Sequence, residues 1–191
     1  FVSAHASGPL AADYDFTLKG KEEYLQAAVT ALSKLTEGEV NVGIGEAGIS
    51  PFSGLKDISI HKLTGPHPSG NVGTQIAKLN PINKGETVWT LNAQDLVIIG
   101  ELLLTGKYNA ERIIALAGSS VKAPKYYKTR VGAEVSTFVY DAGLNEDNVR
   151  FISGDVLSGK QISAKGHLGA YDDLVTVIPE GDDYELFGWT M

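Results

Sequence analysis

Two glycine-spaced stretches and four histidines are the residues of this chain whose types and spacing could do chemistry. Gly43-Ile44-Gly45-Glu46-Ala47-Gly48 has the spacing of a dinucleotide site and follows a predicted strand, Val40–Ile44. A pyrophosphate at such a site needs the free amides of a helix N-terminus. The residues that follow, Ile49-Ser50-Pro51-Phe52-Ser53-Gly54, carry no helical pattern. The next strand ends in Leu63-Thr64-Gly65, without the acid that would hold a ribose hydroxyl. Glycines in a surface turn are the expectation. Gly154-Asp155-Val156-Leu157-Ser158-Gly159-Lys160-Gln161 has the spacing of a P-loop, but Gln161 stands where Ser or Thr would bind Mg²⁺. Ile162-Ser163-Ala164-Lys165-Gly166 does not continue as a phosphate-cradling helix.

The histidines, His5, His61, His67 and His167, have no spacing that puts two on one helix face for a metal. Pro66-His67-Pro68 reads as a rigid turn presenting an imidazole. The G-x-S-x-G elbow of a serine hydrolase is absent. Asp172-Asp173 and Asp182-Asp183 lie in an acidic tail with no Lys or Arg after Lys165, the pattern of a solvated face. The expectation is therefore no catalytic residue, no cofactor ligand and no metal ligand in this chain. One charge feature stands apart. Arg112, Lys122, Lys125, Lys128 and Arg130 fall between Arg112 and Val131 with no acid among them. Lys128 and Arg130 alternate with Tyr127 and Thr129, so both should leave one face of a strand. Two readings stay open: a wet edge that discourages strand pairing, or a docking surface for an acidic partner or anionic headgroups.

The elements that must position these residues alternate in the front half. Phe1–Ala4 reads as a strand. Tyr24 or Leu25, then Ala28, Leu32 and Leu35, recur at helical spacing within Lys21–Thr36. Strands follow at Val40–Ile44 and Ile58–Leu63, and Val72, Ile76 and Leu79 mark a short helix stopped by Asn80-Pro81. Val88–Leu91 is expected as a strand running into Asn92, an N-cap with Asp95 in the first turn. That helix stops at Gly106. Alternation of this kind argues an α/β layer of mostly parallel strands. After Lys107 the order becomes strand (Glu111–Ala117), strand (Tyr126–Val131), helix (around Val135–Ala142), strand (Val149–Ser153), which fits an α+β unit. Leu174–Ile178 and Tyr184–Phe187 are expected as short strands packing back on the core.

Composition narrows the classes. The chain has 191 residues, 43% apolar and 20% charged, with net charge −7. Such acidity argues against nucleic acid as partner. No apolar run approaches the roughly 18 residues of a membrane span. Zero cysteines exclude disulfides and Cys-ligated clusters. The abrupt start at Phe1 gives the expectation that both ends are cut from a longer chain, and no signal peptide is read.

One segment carries a resemblance. Gly65-Pro66-His67-Pro68-Ser69-Gly70, then Val72-Gly73-Thr74, then Thr87-Val88-Trp89-Thr90-Leu91-Asn92-Ala93-Gln94-Asp95, then Arg112-Ile113-Ile114-Ala115-Leu116-Ala117-Gly118 resemble the A subunit of the bacterial Na⁺-translocating NADH:quinone oxidoreductases. The C subunit of the Rnf complex and the flavoprotein subunit of complex I share the layout but diverge at the His67 block. The resemblance implies α/β plus α+β: a Rossmann-like α/β domain over residues 1–110, a β-grasp domain of the soluble ligand-binding type over 111–160, and C-terminal strands over 161–191. It also implies a cytoplasm-facing part, peripheral to the bacterial inner membrane, of a complex that uses flavins and NADH. No flavin loop is found in this chain. Docking on the membrane-embedded B subunit and a contribution to quinone access follow from the same resemblance. His67, Trp89, Lys122, Lys125, Lys128 and Arg130 are the candidate interface residues. A free-standing β-grasp small-ligand module and a degenerate nucleotide enzyme are the competing classes.

Overall fold

Residues 1–46 and 51–182 are described by the computed structural model. The first strand, β1 (Val2–Ala4), is buried throughout. A polar loop leads to α1 (Tyr14–Thr17), a single turn whose N-cap Asp13 accepts hydrogen bonds from the Asp15 and Phe16 amides. The helical spacing read from the sequence becomes α2 (Glu22–Leu35), with Leu25, Ala28 and Val29 inward. Its Glu22 and Glu23 lie at the positive end of the helix dipole and Lys34 at the negative end. There follow β2 (Asn41–Gly45), β3 (Ser59–Leu63), α3 (Val72–Leu79), β4 (Leu91–Asn92) and α4 (Ala93–Thr105). The four strands form one parallel sheet in the order β3-β2-β1-β4.

The expected strand Val88–Leu91 shortens to Leu91–Asn92, because β1 offers those two residues only Val2 and Ser3 as partners. Asn92 does precede α4, but its side chain makes no cap hydrogen bond. Instead its side-chain amide donates to the Tyr171 carbonyl at 3.1 Å. The parallel sheet packs through Val2, Val42 and Ile44 on Leu25, Ala28 and Val29 of α2 and Ala93 and Leu96 of α4. The two helices meet backbone to backbone. A Cβ placed on Gly100 would lie 1.8 Å from the Tyr24 carbonyl oxygen, so only glycine permits this approach.

The second sheet contains β5 (Glu111–Ala117), β6 (Lys125–Arg130), β7 (Val149–Ser153), β8 (Lys160–Ile162) and β9 (Leu174–Pro179), in the order β6-β5-β9-β7-β8. It is mixed: β5 and β9 are parallel, and the other pairs antiparallel. Helix α5 (Ser136–Ala142) covers it, with Phe138, Val139 and Ala142 against Ile114, Leu116, Val175 and Val177. The strand expected to pack back on the core, Leu174–Ile178, lies at the centre of this sheet between β5 and β7. Its first four residues are all buried, as a near-continuous apolar run in a central strand should be. The expected strand Tyr184–Phe187 lies outside the described residues.

Helix α4 and the α1 region join the two sheets. The Gln94 side chain acts as a strand partner for Ile113, donating to its carbonyl at 2.8 Å and accepting from its amide at 2.9 Å. Tyr126 of β6 stacks on Phe16 with ring centroids 4.6 Å apart, and its hydroxyl accepts from the Asp13 amide at 2.9 Å. Arg112, only 2% exposed, forms an ion pair with Asp95. Asp173 lies beside Tyr14 and shares the field of the same guanidinium. Burial pushes both carboxyls up, opposed by Arg112. Burial and then Asp173 push the Tyr14 phenol well above its usual range.

Removing one member of such a group strands the others in a desolvated site. Arg112→Leu should cost roughly 3–5 kcal/mol in urea unfolding, and Arg112→Leu with Asp95→Leu should cost less than the single change. Tyr14 adds a pH signature. Between the ordinary phenol pKa of about 10 and the higher folded value, the native chain keeps a proton that the unfolded chain releases. Stability should therefore be intact below about pH 10 and fall above it. Tyr127 is also pushed up, by burial and then by Asp141, so phenolate absorbance should show late tyrosines, and Tyr14→Phe should remove the one that titrates well above the usual range.

Candidate functional site at the carboxyl edge of the parallel sheet

In an open parallel sheet, ligands sit outside the carboxyl ends of the strands where the strand order reverses. Here the chain steps outward from β1 to β2 to β3 and then crosses to β4, so the reversal lies between β1 and β4. Among the described residues, the loops 5–8 after β1 and 65–70 after β3 meet at this edge. Ser7 Oγ accepts from the Gly70 amide at 2.7 Å and sits 3.3 Å from His67 Nδ1. His5 Nε2 lies 3.4 Å from Ser69 Oγ, and burial pushes the His5 imidazole down. Beneath them the buried Gln75 side-chain amide donates to the Gly70 carbonyl at 3.0 Å and to Ser3 Oγ at 3.2 Å. The His67 block is thus tied to β1 by a polar network.

The second sheet closes the crevice. Asp155, in the loop between β7 and β8, packs so tightly on Gly8 that a Cβ there would lie 2.6 Å from its Oδ2. Its Oδ1 accepts from the Leu157 and Ser158 amides at 2.7 and 2.9 Å, and its Oδ2 from Ser158 Oγ at 2.8 Å. Burial works to raise this carboxyl. Those hydrogen bonds, with His67 nearby, outweigh burial and hold it below the usual range. On the other side Tyr171 meets Asn92. Both contacts cross from the parallel sheet's edge to the second sheet's loops.

The near P-loop is a turn of a β-hairpin: residues 156–158 form the turn, and Lys160 opens β8. Its closing geometry is set by Asp155 rather than by a phosphate. Gly43 and Gly45 lie within β2, Pro51–Gly54 is a turn, and Ala47–Ser50 falls outside the described residues. Ser7, Gly8, Asp155, Asn92 and Gln75 do not stand out as site residues in the sequence. Only Asp155 leaves a local signal there, the Asp-x-x-Ser pattern of a side-chain-closed turn.

The interface residues expected from the sequence separate. His67 is half-buried in the network just described. Trp89 is 71% exposed. Lys128 and Arg130 are both exposed on the edge strand β6, at the alternation expected. Lys125, one residue out of phase with them, faces Tyr127 (5.1 Å to the ring centroid) and pairs with Asp141 at 2.6 Å. Lys128 pairs with Glu111 at 2.8 Å, and Arg112 is buried. Among the described residues, only Lys122 and Arg130 of this run have no ion pair. Acids outside the run have neutralised most of it. Among the described residues, no group of three or more His, Asp or Glu could hold a metal ion, and no helix is long and apolar enough to cross a membrane.

Family models match in two consecutive stretches: the NqrA second alpha/beta domain over residues 1–108, and the NQRA C-terminal domain over 113–164. The chain belongs to the NqrA family. The A subunit of the Na(+)-translocating NADH-quinone reductase of Neisseria meningitidis serogroup B is 40% identical over 190 residues, covering 99% of this chain and 42% of the relative. That of Vibrio campbellii is also 40% identical, again covering 99% and 42%. The chain thus spans about two fifths of the length of these relatives. A chain in the crystal structure of NAD+-reducing [NiFe]-hydrogenase in the H2-reduced state superposes with TM-score 0.61 at 12% identity, over 93% of this chain and 40% of that one. That likeness concerns the fold, and it extends over most of this chain.

The contact of Gly8 with Asp155 should be measurable. Gly8→Ala should lower stability by about 1–3 kcal/mol through overpacking. Adding Asp155→Ala should recover part of that loss, and a thermal-unfolding double-mutant cycle gives the coupling.

Proposed function

We propose that this chain is the α/β and following α+β portion of the NqrA subunit of a Na⁺-translocating NADH:quinone reductase, and that it assembles the complex rather than carrying a redox group. The observation that carries this reading is 40% identity to NqrA relatives across 99% of the chain. The contacts of Asp155 with Gly8 and of Asn92 with Tyr171 across the switch-point edge support it, since they are packing contacts between the two layers. In this reading residues 1–110 are a Rossmann-like domain that has given its ligand edge to packing. Residues 111–160 are a β-grasp unit, completed by β9 from the 161–191 segment. The protein faces the cytoplasm, docks on the membrane-embedded B subunit and borders the path of the quinone.

Docking is assigned to Trp89, Lys122 and Arg130, which lie on the surface with no ion pair to either cation among the described residues. Lys125 and Lys128 are already engaged by Asp141 and Glu111, so their part is smaller. A second reading, a small-ligand module, rests on an open groove of about 740 Å³ beside β6, lined by Lys128, Arg130, Glu111 and Glu134. Its charged lining suits a polar ligand and disfavours an apolar quinone.

The test uses the full-length protein with Lys122→Glu and Arg130→Glu. Rim charges act mainly on association rate. Reconstitution with the other subunits should slow at low salt and become less salt-dependent, while a Lys125→Glu, Lys128→Glu variant should change less. Unaltered assembly and unaltered NADH:quinone activity in the first variant would refute the docking assignment.

A further inference from the structure

Where α1, α4 and β5 meet, the packing leaves a half-open cavity of about 30 Å³ bordered by Thr17, Lys21, Gln94, Glu101, Glu111 and Arg112. Two buried polar atoms on these residues have no hydrogen-bond partner among the described residues: Thr17 Oγ1 and Arg112 Nε. Their residues are only 4% and 2% exposed. Gln94, the other neutral polar group there, is already committed to both backbone groups of Ile113. A buried guanidinium N–H left without an acceptor keeps its whole desolvation penalty. Buried polar groups in native proteins are satisfied by protein or by ordered water in the large majority of cases.

Size and charge identify what fits. One water needs roughly 10–15 Å³ of such space, so the cavity takes one or two and excludes an organic ligand. Lys21 and Arg112 oppose a bare cation, while Glu101, Glu111 and the nearby Asp95 oppose a bare anion. A small neutral dipole meets neither objection. We propose that this cavity is a binding site for one or two water molecules that accept a hydrogen bond from Arg112 Nε and bond to Thr17 Oγ1. Arg112 then has a partner on each side, with Asp95 on α4 and Thr17, through water, at the end of α1. The hydrated joint thereby links both layers through one side chain.

Thr17→Val is the direct test because it keeps the shape and removes the hydroxyl. If water bridges the two atoms, the substitution leaves the water one partner short and weakens its hold on Arg112 Nε, and the folding equilibrium constant should fall about tenfold. If the cavity is dry, the same change deletes an orphaned hydroxyl, and stability should stay level or rise. Level or increased stability overturns the proposal. A crystal structure of the chain supplies the second measurement, which holds even if the valine variant does not fold. The unaltered protein and Thr17→Ser should show ordered density within hydrogen-bond reach of both atoms, and empty density in either overturns the assignment.

Discussion

Much of this structure depends on how Arg112 is held out of water. A guanidinium cannot shed its proton, so burying it obliges the fold to bring acceptors from several directions. Asp95 comes from the first turn of α4 as its ion-pair partner, and Asp173, the residue before β9, adds its charge nearby without pairing, beside Tyr14 of α1. These three elements are far apart in sequence, and satisfying one cation requires them to converge. Gln94 beside Asp95 extends the arrangement by pairing with the Ile113 backbone, so that α4 borders the second sheet as a strand would. The apolar contacts at this joint are small: Ala12, Ala115 and Leu174. Directional polar contacts therefore set how the two layers meet, and a slip of one residue in β5 would replace Arg112 by a different neighbour of Asp95.

The second consequence of that meeting is the state of the parallel sheet's carboxyl edge. Loops from the mixed sheet lie across it, with Asp155 on Gly8 and Tyr171 on Asn92. The same edge in a nucleotide-binding sheet must stay open and offer free amides to a phosphate. Here the Gly70 amide is spent on Ser7, and the amides of Leu157 and Ser158 on Asp155. Those amides hold the loops of this edge together.

Charge followed a similar course. Five basic residues without an intervening acid suggested a continuous positive surface. Folding brought Asp95, Asp141 and Glu111 to three of them and left Lys122 and Arg130 without ion pairs among the described residues. Exposed pairs of this kind contribute little to stability. They do lower the local field, and so narrow the surface on which long-range attraction can act.

Local content was legible in the residues alone. The helix over Leu25–Leu35, the strands around Val42 and Ile114, the stop at Gly106 and the failure of both glycine motifs follow from periodicity and from missing residue types, which neighbours in space cannot alter. The family was legible too, in the block around His67 and in Arg112–Gly118. Folding had to settle the rest. Leu174–Pro179 is a central strand, yet an apolar run fits an edge or a centre equally well until its partners are known. Asn92 binds Tyr171 instead of capping its own helix, and Arg112 belongs to the core instead of a basic surface. Each of these outcomes depends on a partner tens of residues away or, for Arg112 and Asp95, on burial that no window of sequence contains.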